Sequence, residues 1–353
     1  MKKIIIGIDV SKEKCDATAI LTENGLMEVK KLDYIVFENR ANGFRSLLSW
    51  SRKLMPEATD EELLFVCETT GAYDRAMCDY LFGKGMDVWR ESALQINRCG
   101  GVRRGKDDRT DSLMIAEYAM RHLDKAVYYE SPDKTVRELK ALLLYRHKLT
   151  QEKTAKKVRM NQMKSTAARS HSMTFILRDS ARGVRTLEKS IRECDRQIRE
   201  LIKSEEALKR NYHHLTSIRG INIVNATAMI VYSNNFRNIK DANKMATYYG
   251  VASFRTKSGT SVDKRAEVGQ YSNSTLRMYI TQAASCAISE NGIYREYFLR
   301  KTAEGKAYGI VINNVKNKLI HLAFSLVKND MDYEQNHELM RVQNEKNVKS
   351  SHN

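Results

Sequence analysis

Two acidic residues lie at the ends of apolar segments, where a charge is costly unless it meets a cation. Asp9 comes near the end of KKIIIGIDV, and Glu68 closes ELLFVCE; both segments have the composition of buried strands. An ionised carboxylate at such a position projects from the sheet end or binds a metal ion. If the two strands are neighbours in one sheet, both carboxylates emerge at the same edge.

Two further acids, Asp108 and Asp111, are three residues apart at the start of a predicted helix and therefore share one of its faces. Four carboxylates without a histidine or cysteine ligand suit Mg²⁺, with Mn²⁺ as the other candidate. In phosphodiester chemistry, two such ions about 4 Å apart activate the attacking oxygen and stabilise the leaving one. The four acids together predict a metal site for this chemistry.

Each acid also has an ordinary structural explanation. Asp9 could cap a turn, Glu68 could pair with a base, and Asp108 with Asp111 could be the acids that a helix dipole favours in its first turn. Their joint placement, at two strand ends and on one helix face of a single basic domain, favours the metal site.

Basic residues surround the last two acids in the run RRGKDDRTDSLMIAEYAMRH, residues 103–122. A site that holds cations between carboxylates and phosphates needs both signs of charge. Asp107 is interpreted as a bystander in this run. The residues predicted to hold a nucleic-acid backbone beside the ions are Arg103, Arg104, Lys106 and Arg109.

A serine in a basic loop is a second candidate for chemistry. Ser258 precedes Gly259 in RTKSGTSVDKRAEVG, so its hydroxyl could face a phosphate, although a simple turn also explains the pair. No His–Asp pattern accompanies this serine to activate it, and that help would have to come from the metal cluster. Ser261 lies close by and is a rival for the same role. The basic residues predicted to bind nucleic acid around it are Arg255, Lys257, Lys264 and Arg265.

The elements that must position these residues fall into four segments. Residues 1–130 run as three hairpin-like strands followed by strand–helix–strand–helix, the order of an α/β ribonuclease H-like domain. Residues 131–208 hold one glycine after Pro132 and predict a long, basic helical linker. Residues 209–330 predict a mainly α C-terminal domain, and residues 331–353 a polar, frayed tail.

The helical linker carries two features. An apolar seam with coiled-coil spacing predicts either an oligomer contact or packing within the chain, and both remain open. Its members are Leu187, Ile191, Cys194, Ile198, Leu201 and Leu208. The same linker is strongly basic, and its predicted nucleic-acid contacts are Lys153, Lys156, Lys157 and Arg159.

The stretch TSIRGINIVNATAMI resembles a helix-hairpin-helix element, whose tight turn presents backbone N–H groups to a phosphate. Asn222 replaces the second turn glycine and is expected to take a left-handed conformation there. A plain helix-turn-helix packing corner is the alternative.

Composition restricts the class of protein. The 353 residues include 60 Lys and Arg against 43 Asp and Glu, a formal charge of +17 that is typical of nucleic-acid binders. A merely basic soluble protein is the alternative. No apolar stretch reaches the roughly 18 residues of a membrane span, and we expect a cytoplasmic protein. The six scattered cysteines form no C-x-x-C pair and are expected to be reduced thiols.

Seven ordered motifs resemble one known family: GIDVSK, CETTGAY, KDDRTDSLMIAEYA, IRGIN, YYGVASF, KSGTS and NSTLRMYITQAA. The family is that of the DEDD-type insertion-sequence transposases, the bridge-RNA-guided serine recombinases, which are related to the Piv-type DNA invertases. The resemblance spans about residues 4–328. The chain departs from the family at Ser253, where a proline is frequent, and at Asn222, where a second glycine is frequent.

The resemblance implies a RuvC-like domain joined through a coiled coil to a C-terminal transposase domain. It makes Asp9, Glu68, Asp108 and Asp111 the metal-binding tetrad, and Ser258 the residue that forms a phosphoserine link to DNA. The implied partners are double-stranded DNA, a structured noncoding guide RNA and further copies of the chain in a homodimer or homotetramer. The implied location is the bacterial cytoplasm, in association with the nucleoid. A hydrolytic RuvC-like junction nuclease and a non-catalytic nucleic-acid-binding protein are the alternatives.

Overall fold

A computed structural model describes residues 3–22, 30–69, 71, 73–99, 107–166, 170–254, 257–258, 262–263, 267–268, 272–289 and 291–333. The chain divides into two units, Met1–Ser131 and Pro132–Asn353. Each unit has its own hydrophobic core.

The first unit contains a five-stranded mixed sheet in the order β3-β2-β1-β4-β5. Strands β1, β2 and β3 are antiparallel, whereas β4 and β5 continue from β1 in parallel. This is the ribonuclease H-like order that the sequence predicts, and the predicted neighbourhood of the first and fourth strands is confirmed. The strands are β1 Lys3–Val10, β2 Lys14–Thr22, β3 Lys30–Glu38, β4 Leu63–Glu68 and β5 Asp87–Glu91.

Helices cover both faces of this sheet because alternate residues of each central strand are apolar on either side. Helices α1 and α2 pack on the face that contains Ile6 and Phe65, and α4 packs on the face that contains Ile5 and Leu64. Helix α2 is the helix that the sequence predicts between the fourth and fifth strands. The helices are α1 Ala41–Lys53, α2 Arg75–Phe82, α3 Ala93–Cys99 and α4 Asp108–Arg121.

Helix α4 approaches strand β1 more closely than any side chain at Gly7 would allow. A Cβ atom at Gly7 would lie 2.2 Å from the carbonyl oxygen of Ser112 and 2.4 Å from the backbone nitrogen of Ala116. The hydroxyls of Ser112 and Thr18 share a buried hydrogen bond of 2.7 Å, which ties α4 to β2 as well. These contacts fix the start of α4 over the ends of the two central strands.

The second unit is mainly helical, as predicted. It also contains two pairs of very short antiparallel strands, β6 with β9 and β7 with β8. Among the described helices of the chain, none is both long and apolar enough to cross a bilayer. The elements are α5 Lys134–Thr166, α6 His171–Lys203, α7 Glu206–Ser217, α8 Ile223–Ser233, α9 Ala242–Tyr248, β6 Ser253–Phe254, β7 Lys257–Ser258, β8 Val262–Asp263, β9 Glu267–Val268, α10 Ser274–Ser289, α11 Ile293–Ala303 and α12 Tyr308–Asn329.

The apolar seam of the linker packs within the chain. Leu187, Ile191 and Cys194 of α6 meet Leu149 of α5 in a separate small core. The predicted continuation of the seam to Leu208 is wrong, because α6 ends at Lys203 and Leu208 belongs to the next helix. Of the two alternatives for this seam, the structure shows packing against a neighbouring helix of the same chain.

Ion pairs follow the same helix pair and show that it is antiparallel. The guanidinium of Arg146 donates to Asp195 at 2.6 Å, and both side chains are mostly buried. Farther along, the ammonium of Lys157 lies 2.8 Å from Glu188. Arg146 comes before Lys157 in α5, but its partner Asp195 comes after Glu188 in α6. The two helices therefore run in opposite directions.

Helix α8 forms the centre of the second core and is buried on nearly all sides, as expected of a helix that is apolar all round. Asn222 caps its start: the side-chain oxygen accepts hydrogen bonds from the backbone N–H groups of Val224 and Asn225 at 3.0 and 3.2 Å. The expected left-handed conformation of Asn222 is therefore wrong, since its φ is −97°. The left-handed residue of this turn is Gly220, with φ +92°.

A buried histidine ties the end of α12 to α7. The two ring nitrogens of His214 lie 2.7 Å from an oxygen of Asp332 and 3.0 Å from an oxygen of Asp330. The backbone N–H of Tyr333 donates to the hydroxyl of Ser217 at 2.8 Å. Residues 331–333 are therefore docked, and the prediction of a frayed tail is wrong for these three residues; residues 334–353 lie outside the described part.

Replacing Gly7 by alanine is expected to lower the free energy of unfolding by about 3 kcal/mol, because the new methyl group collides with backbone atoms of α4 that cannot turn away. Thermal or urea unfolding measures the change. Gly309→Ala is the control, since a Cβ at this exposed helical position meets open space. Equal stability of the two variants would contradict the close packing of α4 on β1.

The His214 contacts predict a pH-dependent contribution to stability. Burial lowers the pKa of His214, but the hydrogen bonds to Asp330 and Asp332 outweigh it and raise the pKa above 6.5. The bond to His214 lowers the pKa of Asp330 below 3.8. The contribution is therefore complete between about pH 4 and 6.5, and it is lost as the pH rises through the raised pKa of His214.

We expect His214→Gln to cost about 1–2 kcal/mol at pH 6 and distinctly less at pH 9. The measurement is the difference in melting temperature between wild type and variant across this pH range. His171→Gln, at an exposed helix start, serves as the control. A difference that is constant from pH 6 to pH 9 would refute the charged interaction.

Candidate functional site

The parallel pairing of β1 with β4 brings the first two candidate acids to one edge of the sheet. The register pairs Ile8 with Cys67, so Asp9 and Glu68 follow as neighbours at the carboxyl ends of these strands. Ile8 and Cys67 face the core under α1 and α2. Because side chains alternate along a strand, Asp9 and Glu68 belong to the opposite face, which α4 covers.

The start of α4 brings the other two acids to the same place. Asp108 and Asp111 occupy its first turn, and Asp107 is its N-cap residue. Burial raises the pKa of Asp9, and the negative charges of Asp111, Asp108 and Asp16 raise it further. The structure therefore gathers Asp9, Asp108 and Asp111 within electrostatic reach of one another.

A fifth carboxylate, which the sequence argument missed, lies in this cluster. Asp16 on β2 is the direct cross-strand partner of Asp9 and is 3% exposed. It accepts a hydrogen bond from the hydroxyl of Tyr34 on the neighbouring strand. An acid inside the apolar strand CDATAIL carries the same desolvation cost that identified Asp9, and this signal was available in the sequence.

One lysine connects two acids of the cluster. The ammonium of Lys14 lies 2.9 Å from Asp108 and 3.6 Å from Asp16. Its hydrogen bond to Asp108, followed by the charges of Asp16 and Asp108, raises the pKa of Lys14. Lys14 was likewise absent from the predicted site, because a lysine at the start of a strand is ordinary in sequence.

The basic residues predicted around α4 have different outcomes. Arg109 is exposed on the first turn of α4, and its guanidinium carbon lies 4.8 Å from the centroid of the Tyr34 ring. Arg109 thus lies at the rim of the acidic cluster. Arg103, Arg104 and Lys106 fall outside the described residues.

The chemical type of the donors suits a hard divalent cation, because carboxylate oxygens are the ligands that Mg²⁺ and Mn²⁺ prefer. Among the described residues, no three acids of the cluster have oxygens within 4.8 Å of one another. Burial raises the pKa of Asp9, the charges of Asp111, Asp108 and Asp16 raise it further, and a bound cation would relieve the repulsion between these charges. Asp9, Glu68, Asp108 and Asp111 are the residues that would hold it.

A second group of potential ligands lies in the core beneath β4, where the sulfur atoms of Cys67 and Cys78 are 3.6 Å apart beside Asp74. The guanidinium of Arg90 already donates to Asp74 at 2.6 Å and balances its charge. The hydrogen bond to Cys78, and burial, raise the pKa of Cys67, so it stays a thiol. This group is a packed core with a buried ion pair. All six cysteines are free, as expected.

The basic residues of the linker lie on α5. Lys156, Lys157 and Arg159 are exposed, whereas Lys153 is half-buried. The charge of Lys157 is shared with Glu188 of α6. Helix α5 thus presents a basic surface. One residue of this surface, Lys157, also forms an ion pair that joins α5 to α6.

The candidate nucleophile lies on a short strand of the second unit. Ser258 ends β7 and pairs with Val262 of β8, in register with Lys257 opposite Asp263. This places the backbone of Ser258 in a narrow antiparallel pair. Its rival Ser261, and the predicted contacts Arg255, Lys264 and Arg265, lie outside the described residues.

Solved structures of low similarity match the first unit. RuvC of Thermus thermophilus, solved alone and in complex with a Holliday junction substrate, is 13% identical and covers 36% of this chain and 99% of RuvC. The TM-score is 0.28, so the assignment of a ribonuclease H-like fold rests on the strand order itself.

Sequence relatives cover nearly the whole chain. The pilin gene-inverting proteins of Moraxella lacunata and Moraxella bovis are 22% and 21% identical, each over 95% of this chain and 98% of the relative. An uncharacterized 44.8 kDa protein of insertion element IS116 from Streptomyces clavuligerus is 22% identical over 44% of this chain and 38% of its own length.

Two family models match separate parts of the chain. A transposase model of the DEDD, IS110 type matches residues 6–165, which include all four acids of the predicted tetrad. A model described as the transposase IS116/IS110/IS902 family matches residues 212–299, which include Ser258. The chain belongs to this family of insertion-sequence transposases and is an enzyme of DNA recombination.

Proposed function

We propose that this transposase cuts and rejoins duplex DNA at divalent metal ions held by Asp9, Glu68, Asp108 and Asp111. The observation that supports the proposal is the convergence of acids at two parallel strand ends and one helix start, where burial, followed by the charges of Asp111, Asp108 and Asp16, raises the pKa of Asp9. A cluster of this kind is costly to the fold, and cation binding is the function that compensates for the cost. Mg²⁺ is the proposed ion, and Mn²⁺ fits the same oxygens.

The proposed chemistry divides between the ion and the chain. A bound divalent ion supplies positive charge to the reacting phosphate. The strand pairing of β1 with β4 holds Asp9 and Glu68 in place, and the packing of α4 at Gly7 orients Asp108. Arg109 at the rim is positioned to contact the DNA backbone, because its guanidinium is exposed beside the acids.

Ser258 is proposed to form the covalent link to DNA. Its oxygen would attack the phosphorus of a phosphodiester and form a phosphoserine bond, while the leaving 3′ or 5′ oxygen takes up a proton. The family resemblance of KSGTS supports this role, as does the position of Ser258 beside Lys257 in the region that the second family model matches. The reverse reaction with another DNA end would rejoin the strand.

The remaining segments are proposed to bind nucleic acid and to assemble. We assign catalysis by the acids to residues 1–130, backbone contacts to the basic linker 131–208, and the serine to residues 209–330, with residues 331–353 as the tail. A structured noncoding RNA is the proposed guide, and a homodimer or homotetramer the proposed assembly. Both proposals rest on the family resemblance.

Asp9→Asn tests the acidic cluster without DNA. Since burial and neighbouring charges raise the pKa of Asp9 above 3.8, its ionised form costs stability at neutral pH. In EDTA at pH 7.5 we expect the variant to melt at a higher temperature than wild type, because the desolvation cost and the repulsion of the ionised carboxylate are gone. This advantage shrinks as the pH falls towards the raised pKa of Asp9, where wild type takes up a proton. Differential scanning calorimetry measures both effects.

Added Mn²⁺ should reverse the difference in melting temperature, so that wild type melts at a higher temperature than Asp9→Asn. Wild type gains stability by binding the ion, whereas Asp9→Asn gains little and loses recombination. Asp124→Asn, at an exposed acid outside the cluster, is the control and should behave as wild type. Full recombination by the Asp9 variant would instead support a non-catalytic role for the acids.

Ser258→Ala tests the covalent step. We expect no protein–DNA adduct on a denaturing gel, while Ser261→Ala retains it. An adduct that persists in the Ser258 variant and disappears in the Ser261 variant would transfer the role to Ser261. DNA cleavage at the wild-type rate by both variants, without any adduct, would favour the hydrolytic junction nuclease, since all four acids lie within the first unit.

A further inference from the structure

Lys14 and Asp16 extend the acidic cluster along β2. Both are on the same side of the strand, because they are two residues apart, and Asp16 lies directly across from Asp9. Lys14 reaches past Asp16 to Asp108 on α4, so one ammonium joins the sheet to the helix start. The strand thus presents a cation inside a group of acids that is proposed to bind cations.

The two carboxylates that share this ammonium differ in their surroundings. Asp16 is buried and fixed, with one oxygen taken by the hydroxyl of Tyr34 and the other facing Lys14. Asp108 is about half exposed, with 54% of its side chain accessible. The ammonium therefore has one buried partner and one partner that is half exposed.

We propose that Lys14 and a divalent metal ion compete for Asp108, and that the ammonium of Lys14 moves towards Asp16 when the ion binds. This inference rests on the proposed metal-dependent function and adds a positioning residue to it. Asp16 is not a fifth metal ligand in this scheme, since its oxygens are engaged by Tyr34 and Lys14. Its role is to keep the displaced ammonium at the site.

The energetics allow this exchange. An ion pair between two half-exposed side chains contributes little net stability, so the Lys14–Asp108 contact is easily broken. A divalent ion gains twice the charge interaction with the same carboxylate. The Lys14–Asp16 contact, by contrast, involves a carboxylate that is costly to leave unpaired because it is buried.

The displaced ammonium would then serve the nucleic acid. Held on Asp16 beside the ion, it is available to a nonbridging phosphate oxygen, as is the guanidinium of Arg109, which lies over Tyr34. Tyr34 thus contacts both Asp16, which anchors Lys14, and the guanidinium of Arg109. The metal ion and the phosphate would bind cooperatively, because the ion breaks the Lys14–Asp108 contact and the released ammonium can then bind the phosphate.

Direct measurement of Mn²⁺ affinity tests the competition. Calorimetric titration of the purified full chain, without DNA, compares wild type with Lys14→Met, Lys14→Arg and Lys12→Met. If Lys14 competes for Asp108, its methionine variant binds Mn²⁺ about fivefold more tightly, because one competing charge is gone. Lys14→Arg keeps the charge and should stay within about twofold of wild type.

Lys12→Met is the matched control, because it removes an equal charge from the exposed turn two residues earlier. A general loss of positive charge would tighten Mn²⁺ binding equally in both methionine variants, and that result would overturn the inference. Unchanged or weaker binding by Lys14→Met would also overturn it. A different result would contradict the proposed function itself: wild type shows no Mn²⁺ binding, or its Mn²⁺ binding is unchanged by Asp9→Asn. The two failures can therefore be distinguished.

A second readout separates competition from a merely structural role. With saturating Mn²⁺, Lys14→Met should bind a short DNA duplex several-fold more weakly than Lys12→Met, although it binds the ion more tightly. A destabilised fold would lower the affinity for Mn²⁺ and the affinity for DNA together. Opposite changes in ion and DNA affinity are therefore the expected signature, and parallel changes would contradict it.

Discussion

The close contact between helix α4 and strand β1 is the interaction on which the acidic cluster depends. Backbone meets backbone at Gly7, without an intervening side chain, and the buried hydroxyl pair of Thr18 and Ser112 fixes the helix along its axis. Acids that repel one another do not come together by their own interactions. The packing of the sheet against this helix holds them close, because it stabilises the fold by more than the repulsion destabilises it.

Charge is distributed unevenly on this basic chain. Overall the protein carries a formal +17, a net charge that favours the binding of polyanions. At the edge of the sheet, however, acids from three elements gather with Lys14 and Arg109 at their rim. Such a local concentration of negative charge repels phosphate, and under the proposed function a bound cation would lie between the acids and the DNA.

The sequence predicted the elements better than the details of their junctions. The apolar strands, their order and the edge shared by Asp9 and Glu68 follow from the rule that parallel neighbours end together. Asp16 was not predicted because it lies within a strand, whereas the predicted acids lie at strand ends. Its contacts with Lys14 and Tyr34 also cannot be inferred from residue spacing.

Other errors have similar causes. The apolar spacing ran on to Leu208, although the helix had ended at Lys203, since periodicity does not register a short break between two helices. Asn222 was expected to replace a glycine in the turn, but its side chain served better as a helix cap. Two further features depend on three-dimensional packing and cannot be inferred from residue patterns. They are the sharing of Lys14 between two acids and the close approach of α4 to Gly7.

The docking of residues 330–333 has a practical consequence for anyone who shortens this protein. A truncation after α12 at Asn329 looks harmless in sequence, since it removes only a polar segment. It would, however, remove both carboxylate partners of His214 and leave a buried imidazole without the two hydrogen bonds that its ring nitrogens form in the described structure. Purification tags and fluorescent fusions should therefore begin beyond Tyr333, so that His214, more than a hundred residues earlier in the chain, keeps both of its carboxylate partners.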